Sequence, residues 1–344
     1  MKKLLVTGAS GTSRILVGAS IDSLQTIIGR RRTVVISDTA VAGHYRERLP
    51  AYPLITIGRG EKIKTLETVT HIYGELVELE ADRSTFILGV GGGIVCDIAG
   101  FVASTYMRGT AFGFVSTTLL SQVDASVGGK NGVNFGGYKN MVGTFNQPEF
   151  VICDMALLKT LPVREVLCGF AEIIKHGAIA SAPMLDFLET HRDEALDLVE
   201  PIIAHLVYRS VEIKAGVVTR DERERGERRK LNFGHTFGHA LEKITGMPHG
   251  EAVGIGMVLA ARLSVKRGLL PPDDARRLER IVQQYGLPVQ PPVALDAMLE
   301  AMRKDKKREG SRIHFVFLDA LGSACVQELA VDELAQLAAA TRLR

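Results

Sequence analysis

The chain has 344 residues, of which 46% are hydrophobic and 24% charged, and its formal net charge is +3. At roughly 150 residues per domain, this length predicts about two domains with a core that needs no disulfide or structural metal. A charge so close to balance does not support a broad nucleic-acid-binding surface. We therefore expect any anion site to be a concentrated pocket.

The sequence has four scattered cysteines, Cys96, Cys153, Cys168 and Cys325. None belongs to a Cys-x-x-Cys pair, so neither a thiolate zinc site nor a disulfide framework is expected. The first apolar run breaks at Thr7-Gly8, too early for a signal peptide, and no run approaches the roughly 18 residues of a membrane helix. We expect a cytoplasmic protein with no membrane partner.

The first half alternates short β-branched runs with helical stretches, which is typical of βαβ units on a mostly parallel sheet. The predicted strands are Arg14–Val17, Thr33–Ser37, Leu54–Ile57, Thr85–Gly89, Phe112–Val115 and Phe150–Cys153. The predicted helices are Asp22–Ile28, Lys62–Leu79 and Gly92–Tyr106. The pattern indicates an α/β nucleotide-binding domain over residues 1–160.

Beyond Pro162, helical periodicity replaces the strand pattern. The predicted helices span residues 163–180, 197–216, 230–245, 250–267 and 273–284, which indicates a mainly α-helical domain over residues 161–344. Two late strands, Ile313–Leu318 and Ala324–Gln327, either return to the first sheet or form a small ribbon. The charged run Arg220–Lys230 is predicted to be a solvated loop, with the alternative that part of it lines a site.

Two glycine-rich segments invite a phosphate-binding interpretation. Thr7–Ser13 resembles a dinucleotide fingerprint, but Arg14 replaces its third glycine, so we interpret the segment as a turn between two short strands. Gly89–Gly93 follows a predicted strand and opens a helix, where free backbone N–H groups can bind a pyrophosphate. Its alternative is a structural turn. Asp38, beyond another strand, could accept hydrogen bonds from a ribose or could cap a helix.

Three histidines and one glutamate suggest a metal site. His235 and His239 are four residues apart and share a helical face. His249 heads the next helix, and Glu172 is a charged residue inside an apolar helical stretch that needs a partner or a metal. Spacing alone nominates His235 with His239 as a metal pair. The alternative is that all are ordinary hydrogen-bonded residues and Glu172 pairs with Lys175 on an exposed face.

Cations are distributed along the chain in positions that suit a polyanionic small molecule. They are Arg108, Lys130, Lys139, Lys175, Lys214 and Arg228. Lys130 and Lys139 lie in Gly- and Asn-rich connections, whereas Lys175 and Lys214 lie in apolar helical stretches. A phosphorylated, carboxylated substrate would fit this set.

Several runs, in this order, resemble the motifs of the 3-dehydroquinate synthase family. They are Gly91-Gly92-Gly93, Tyr106-Met107-Arg108-Gly109, Ser116–Asp124, Ser126–Lys130, Lys139-Asn140, Glu172–Lys175, Asn232–His239, His249-Gly250-Glu251 and Asp305-Lys306-Lys307. The resemblance spans roughly residues 15–330. It departs from the family pattern in the first dozen residues and at Phe135–Tyr138, where many relatives have a His-Pro-containing stretch.

The resemblance implies a shikimate-pathway lyase that converts 3-deoxy-arabino-heptulosonate 7-phosphate to 3-dehydroquinate and phosphate. The implied route is transient oxidation by NAD, phosphate elimination, re-reduction, ring opening and intramolecular aldol closure. NAD is recycled in each turnover, and a divalent metal is bound, usually zinc, with cobalt as an alternative. Family habit implies a homodimer.

The resemblance also implies site residues. For NAD these are Asp38, Glu61, Lys64, Gly91, Gly92, Gly93, Asp97, Thr117, Thr118 and Lys139. For the metal they are Glu172, His235 and His249, which leaves His239 to contact the substrate and help move protons. The implied catalytic set is His239, Lys130, Lys175, Asn232, Arg228 and Lys214, and further substrate contacts are Arg108, Asp124, Asn140 and Lys306.

Three other functions compete with this one. A related sugar-phosphate cyclase would make an aminodehydroquinate, an inosose or a valiolone, although Arg228, Asn232 and the Lys306-Lys307 pair suit a carboxylated substrate better. A metal-dependent alcohol or glycerol dehydrogenase would release NADH. A module that binds NAD and metal without turnover belongs to a different class.

Overall fold

The computed structural model describes residues 1–306 and 312–341, with backbone only for 304–306. The chain divides into two compact units, Met1–Pro162 with Ile203–Arg223, and Val163–Ile202 with Glu224–Arg344. The predicted division at residue 160 differs from this in one respect, because Ile203–Arg223 groups with the first unit. A break in hydrophobic periodicity marks where strands give way to helices. It does not reveal that a later helical segment groups with the first unit.

The first unit is built on a seven-stranded sheet. The strands of that sheet are β1 (Lys2–Gly8), β2 (Gly11–Val17), β3 (Thr33–Asp38), β4 (Leu54–Ile57), β5 (Phe86–Gly91), β6 (Phe112–Ser116) and β9 (Phe150–Cys153). A separate hairpin is formed by β7 (Lys130–Phe135) and β8 (Tyr138–Phe145). The sheet order is β1-β2-β9-β6-β5-β3-β4, and every neighbouring pair is parallel except β1 with β2. The predicted mostly parallel α/β fold is confirmed.

Helices cover this sheet. They are α1 (Leu24–Ile28), α2 (Thr39–Tyr45), α3 (Leu66–Glu78) and α4 (Gly93–Thr105). The central strands β5, β6 and β9 are buried along their whole length, as expected for parallel strands covered on both faces. In the core the rings of Phe86 and Phe150 stack with centroids 5.6 Å apart. The predicted turn after Thr7 joins β1 to β2.

Three local features of the first unit differ from the sequence prediction. The Gly- and Asn-rich connections around Lys130 and Lys139 form the β7–β8 hairpin, whose strands contain Gly and Asn and show no clear hydrophobic alternation. Helix α2 was not predicted, although Asp38 caps it through Ala40 and Val41. The helix predicted from Lys62 begins at Leu66, after a Thr65 N-cap.

The second unit is mainly helical, as predicted. The remaining elements are α5 (Val163–Ala180), α6 (Ala182–Thr190), α7 (Arg192–Leu196), α8 (Glu200–Arg220), α9 (His235–Thr245), α10 (His249–Lys266), α11 (Pro272–Gln284), α12 (Leu295–Lys306), β10 (Arg312–Ala320), β11 (Ser323–Ala330) and α13 (Val331–Ala340). Most of α8 lies in the first unit. Within the described residues, strands β10 and β11 pair with each other and with no strand of the first sheet, so the small-ribbon alternative holds. Among the described helices, none is long and apolar enough to cross a membrane.

The charged run Arg220–Lys230 is only partly a solvated loop. Its C-terminal part enters a 3₁₀ turn, Glu227–Asn232, in which Arg228 is 3% exposed. A solvated loop is therefore wrong for Arg228, because charge count alone does not reveal which side chain turns inward. Asn232 closes this turn and does not lie in a helix that starts at residue 230, since α9 begins at His235.

Glycines allow three helices of the second unit to approach each other closely. A Cβ atom at Gly256 of α10 would lie 1.9 Å from the carbonyl oxygen of Gly234, which caps α9. A Cβ at Gly250 of α10 would lie 2.3 Å from the Cα of Cys168 in α5. These backbone contacts set the positions of α5, α9 and α10 relative to one another.

We predict that Gly256→Ala lowers the free energy of unfolding by about 1–3 kcal/mol, since the added methyl overlaps backbone that cannot move aside. Gly74→Ala on α3 is the control, because a Cβ there meets nothing within 4 Å. That change should stabilise by up to about 1 kcal/mol through helix propensity and unfolded-state entropy. Thermal and urea unfolding of both variants measures the difference. A Gly256→Ala protein as stable as the wild type would contradict the close-packing argument.

Candidate functional site

The glycine turn between β5 and α4 exposes backbone N–H groups at the start of a helix. Gly91 ends β5, Gly92 occupies the N-cap position and Gly93 opens α4. A Cβ would lie 2.9 Å from Thr118 Cγ2 at Gly92 and 2.9 Å from Ala125 Cβ at Gly93. The N-cap position makes no side-chain hydrogen bond to the helix. The first N–H groups of α4 can therefore bind an anion, with the positive end of the helix dipole behind them.

Thr117 and Thr118 lie beside this turn in different roles. The Thr117 backbone N–H donates to the Gly91 carbonyl at 2.9 Å. Its buried hydroxyl makes no hydrogen bond within the described part of the chain, which fits a polar group that awaits a ligand. Thr118 instead exchanges hydrogen bonds with Ser121, including 3.0 Å between the two hydroxyls. Its side chain shapes the start of the following helical turn.

A polar network joins four predicted site residues of the first unit. Lys64 Nζ lies 2.5 Å from Asp97 Oδ2 and also donates to Asn140 Oδ1. Asn134 links Asn140 to Glu61. Its Oδ1 accepts the Asn140 N–H at 2.8 Å, and its Nδ2 donates to Glu61 Oε1 at 2.7 Å. Burial raises the pKa of Asp97, against the lowering effect of Lys64. Asn134 is a network member that the sequence prediction missed.

The other predicted residues of the first unit lie on three kinds of element. Asp38 uses Oδ1 to accept the Ala40 and Val41 N–H groups, so its capping role is observed. Lys130 and Lys139 are exposed on the β7–β8 hairpin. Arg108 is exposed in a turn with a positive φ of 69°. Such a conformation is uncommon for a non-glycine residue and often marks a functional position.

Asp124 and Lys214 form an ion pair. Lys214 is 6% exposed on α8, and its Nζ lies 2.6 Å from both Asp124 Oδ1 and the Asp124 backbone carbonyl oxygen. Asp124 belongs to a π-helical turn, Ser121–Ala125, a rare geometry that is frequent at functional sites. Two predicted substrate contacts are thus held together by charge.

The second unit brings Glu172, His235 and His249 together. Glu172 Oε1 lies 3.6 Å from His235 Nε2 and 3.4 Å from His249 Nε2, and one donor atom of each residue lies within 4.8 Å of the others. Two ligands bound about 2.1 Å from a tetrahedral ion are roughly 3.4 Å apart. The donor set and spacing fit a divalent metal with an open coordination position.

Both imidazoles are fixed from their far side. His235 Nδ1 lies 3.2 Å from the Phe233 carbonyl oxygen, and His249 Nδ1 lies 2.5 Å from Glu242 Oε1. In the neutral form of each ring, a hydrogen on Nδ1 leaves the Nε2 lone pair available to a metal ion on the Glu172 side. This is the usual arrangement of metal-binding histidines. Glu242 is a second residue that the sequence prediction missed, although its spacing of seven from His235 places both on one face of α9.

Glu172 and Lys175 form an ion pair, but on a buried face, because Glu172 is fully buried and Lys175 is 1% exposed. The exposed pair considered from the sequence is therefore wrong. Burial and the Lys175 charge lower the pKa of His235 to about 3. Burial also lowers the pKa of His249, but hydrogen bonds to Glu172 and Glu242 outweigh it and raise the pKa to about 9. A metal ion that binds here must displace the His249 proton.

His239 lies beside this cluster without joining it. Its ring centroid is 5.3 Å from that of His235 and 6.4 Å from that of His249, and its side chain is exposed. Among the described residues, His235 forms a possible metal-binding cluster with Glu172 and His249. The geometry therefore favours His249 over the helical pair with His239.

Two further predicted residues occupy the segment before α9. Arg228 is buried, and Asn232 Nδ2 donates to Glu224 Oε1. Glu224 has a positive φ of 58° and was also missed, because it stands in a run where acidic and basic residues alternate without any distinguishing neighbour. Lys306 ends α12, and its side chain lies outside the described residues.

The chain matches two family models, 3-dehydroquinate synthase N-terminal over residues 54–168 and 3-dehydroquinate synthase C-terminal over residues 169–308. A 3-dehydroquinate synthase of Dehalococcoides mccartyi is 42% identical over 95% of this chain and 96% of its own length.

Solved structures show the same fold. A 2-epi-5-epi-valiolone synthase from Streptomyces hygroscopicus subsp. jinggangensis, with NAD+ and Zn2+ bound, is 27% identical, with a TM-score of 0.85 over 95% of this chain and 96% of that chain. A 2-deoxy-scyllo-inosose synthase complexed with carbaglucose-6-phosphate, NAD+ and Co2+ is 25% identical, with a TM-score of 0.83 over 98% and 99%. The resemblance found from the motifs is confirmed, and the chain belongs to the 3-dehydroquinate synthase family.

Proposed function

We propose that this chain is a cytoplasmic, homodimeric 3-dehydroquinate synthase of the shikimate pathway. It converts 3-deoxy-arabino-heptulosonate 7-phosphate to 3-dehydroquinate and phosphate. The observation that carries the proposal is the convergence of Glu172, His235 and His249 in a chain that matches both halves of this family. Residues 1–160 supply the NAD site, and residues 161–344 supply the metal and much of the substrate site.

NAD fits the first unit, and zinc or cobalt fits the second. The solved relatives hold NAD+ with Zn2+ or Co2+. Here Gly91, Gly92 and Gly93 expose the backbone N–H groups of α4 to a pyrophosphate, and the Thr117 hydroxyl lies beside them. Asp38 is proposed to accept from a ribose through Oδ2, while Oδ1 caps α2. The remaining proposed NAD contacts are Glu61, Lys64, Asp97, Thr118 and Lys139.

When bound, the metal ion supplies a Lewis acid for a ring hydroxyl, and NAD supplies a hydride acceptor that is restored within each turnover. The chain's own residues hold the substrate and its charges. The proposed contacts to substrate anions and hydroxyls are Arg108, Asp124, Lys130, Asn140, Lys175, Lys214, Arg228, Asn232 and Lys306. Such charges need to be fixed before the reaction, because a preorganised site costs no reorganisation when charge develops.

His239 is proposed to move a proton on the substrate. It lies one turn along α9 from His235, is exposed, and is close to the metal cluster without belonging to it. The buried Lys175 is paired with Glu172. Lys175 can donate to an anionic substrate once a metal ion neutralises the Glu172 charge. Binding of metal and of substrate are therefore expected to reinforce each other.

Our first prediction for this function is turnover without net redox. Purified protein with zinc, substoichiometric NAD and the heptulosonate phosphate should release one phosphate per dehydroquinate formed, while NADH absorbance stays near zero. Stoichiometric NADH would instead support a dehydrogenase. In a parallel assay, turnover of a sugar phosphate without a carboxylate in place of the heptulosonate phosphate would support a related cyclase, and no phosphate release from either compound would support a binding module.

The second prediction concerns the metal ligands. Glu172→Ala, His235→Ala and His249→Ala should each lose metal and activity together, because three donors hold the ion. His239→Ala should retain about one metal per chain and lose most of its activity. Metal analysis of the four purified proteins checks this. A metal-free His239→Ala protein beside a metal-loaded His249→Ala protein would favour the helical pair.

The third prediction concerns the substrate anions. Lys130→Ala and Arg228→Ala should each cost about 2–5 kcal/mol in kcat/KM, roughly 30-fold or more, because a charged contact is left unpaired. NAD affinity should change little. Arg223→Ala is the control, since Arg223 is an exposed cation of the same charged run with no proposed role. A variant that kept wild-type kcat/KM would remove that residue from the substrate site.

A further inference from the structure

Glu242 is a buried carboxylate with a specific partner. It lies on α9, its side chain is 6% exposed, and its Oε1 is 2.5 Å from His249 Nδ1. His249 Nε2, on the opposite edge of the ring, lies 3.4 Å from Glu172 Oε1. Glu242 therefore contacts the ring nitrogen that points away from the metal donors.

The two histidines of the cluster differ in what holds them. His235 Nδ1 faces the Phe233 carbonyl oxygen, a neutral acceptor fixed by the backbone. His249 Nδ1 faces an anionic side chain. A carboxylate acceptor fixes the ring orientation and also raises the basicity of the opposite nitrogen, which strengthens it as a ligand. His249 also heads its helix and is the more exposed of the two, with a side-chain exposure of 30% against 11%, so its ring has fewer packing contacts to orient it.

The carboxylate of Glu242 is not needed to end α9. The backbone carbonyl of Glu242 accepts the Gly246 N–H at 2.9 Å, and Gly246 in the left-handed conformation terminates the helix. Burial of a carboxylate costs several kcal/mol unless charged or donor groups compensate. The contact with His249 Nδ1 compensates the Glu242 carboxylate, which ties this buried acid to the metal cluster.

We propose that Glu242 is a positioning residue that orients His249 and strengthens its Nε2 as a ligand for a divalent metal ion. The inference rests on the proposed function in one respect, namely that the ion binds to Glu172, His235 and His249. It adds a residue that none of the motif-based predictions included. Glu242 does not touch the ion itself.

The test is metal affinity, measured without turnover. Full-length wild type, Glu242→Gln and Glu242→Ala are stripped of metal and titrated with Zn2+ against a chelator of known affinity, and the melting temperature of each metal-free protein is recorded. Glu279→Gln is the matched control, because Glu279 is a partly buried carboxylate of the same unit that pairs with Arg262 at 2.8 Å on α10. Co2+-substituted samples report ligand geometry through their visible absorption.

We expect Glu242→Ala to bind Zn2+ about 10- to 100-fold more weakly than the wild type. Glu242→Gln should lie between them, since its carbonyl can still accept the Nδ1 hydrogen but carries no charge. Glu279→Gln should keep wild-type affinity. The Co2+ spectrum of Glu242→Ala should also change, because a His249 ring without a fixed partner no longer imposes one geometry.

Wild-type Zn2+ affinity in both Glu242 variants would overturn the inference, and so would a loss of metal-free melting temperature with no loss of affinity. If Glu242→Ala does not fold, Glu242→Gln alone decides the outcome. Titration of His249→Ala separates the two proposals. Unchanged affinity there would mean that the metal site of the proposed function is wrong, whereas lost affinity there beside unchanged Glu242 variants would reject only the role of Glu242.

Discussion

The second unit depends on one fully buried carboxylate, that of Glu172. An ion taken out of water costs several kcal/mol, so the surrounding elements must compensate it. Lys175 does so from the same helix, and two imidazole edges approach from α9 and α10. Burial and the Lys175 charge lower the pKa of His235, whereas hydrogen bonds to Glu172 and Glu242 outweigh burial and raise the pKa of His249. A divalent ion would replace the His249 proton with a stronger charge.

Geometry at this carboxylate follows from how closely the three helices approach each other. Gly250 and Gly256 of α10 leave no room for a methyl group against α5 and the start of α9. The histidines stand at the first positions of α9 and α10, where the chain direction is set by a left-handed glycine in one case and a proline in the other. Glycine in a helix interior lowers helix propensity, and here that cost allows a spacing near 3.5 Å between ligand atoms.

The first unit differs from the second, because its glycine turn offers backbone N–H groups to a ligand instead of side chains. The turn from β5 into α4 lies at the carboxyl end of a central parallel strand, the usual ligand edge of such sheets. Its neighbours are polar groups already tied to each other, Lys64 with Asp97 and Asn140. A charged ligand therefore meets preorganised partners, which reduces the entropy lost on binding.

Much of this arrangement follows from local sequence patterns. Short β-branched runs located the central strands, which are buried along their whole length and show no alternation. Period-3.6 hydrophobicity located the long helices α5, α10 and α11, because burial on one helix face repeats along the chain. The motif around Gly91 and the set of Glu172, His235 and His249 could also be found, since glycine geometry and metal chemistry restrict the residue types. Such patterns are informative where the residue types of a short segment already restrict its backbone conformation or its chemistry.

Other features were decided by tertiary structure. Asn134, Glu224 and Glu242 act through partners 6, 8 and 7 residues away on other elements or turns. No local pattern distinguishes Asn134 or Glu224, and the helix face that Glu242 shares with His235 does not reveal its contact with His249. Arg228 could not be told from its exposed neighbours in a charged run, and spacing alone could not choose between His239 and His249. Local patterns by themselves were sufficient for the central strands, the long helices, the glycine turn and the donor types of the metal cluster. Which side chains meet was settled by packing, through the β7–β8 hairpin in the first unit and through the glycine contacts of α5, α9 and α10 in the second. The reason is that distance in space depends on contacts that sequence separation does not encode.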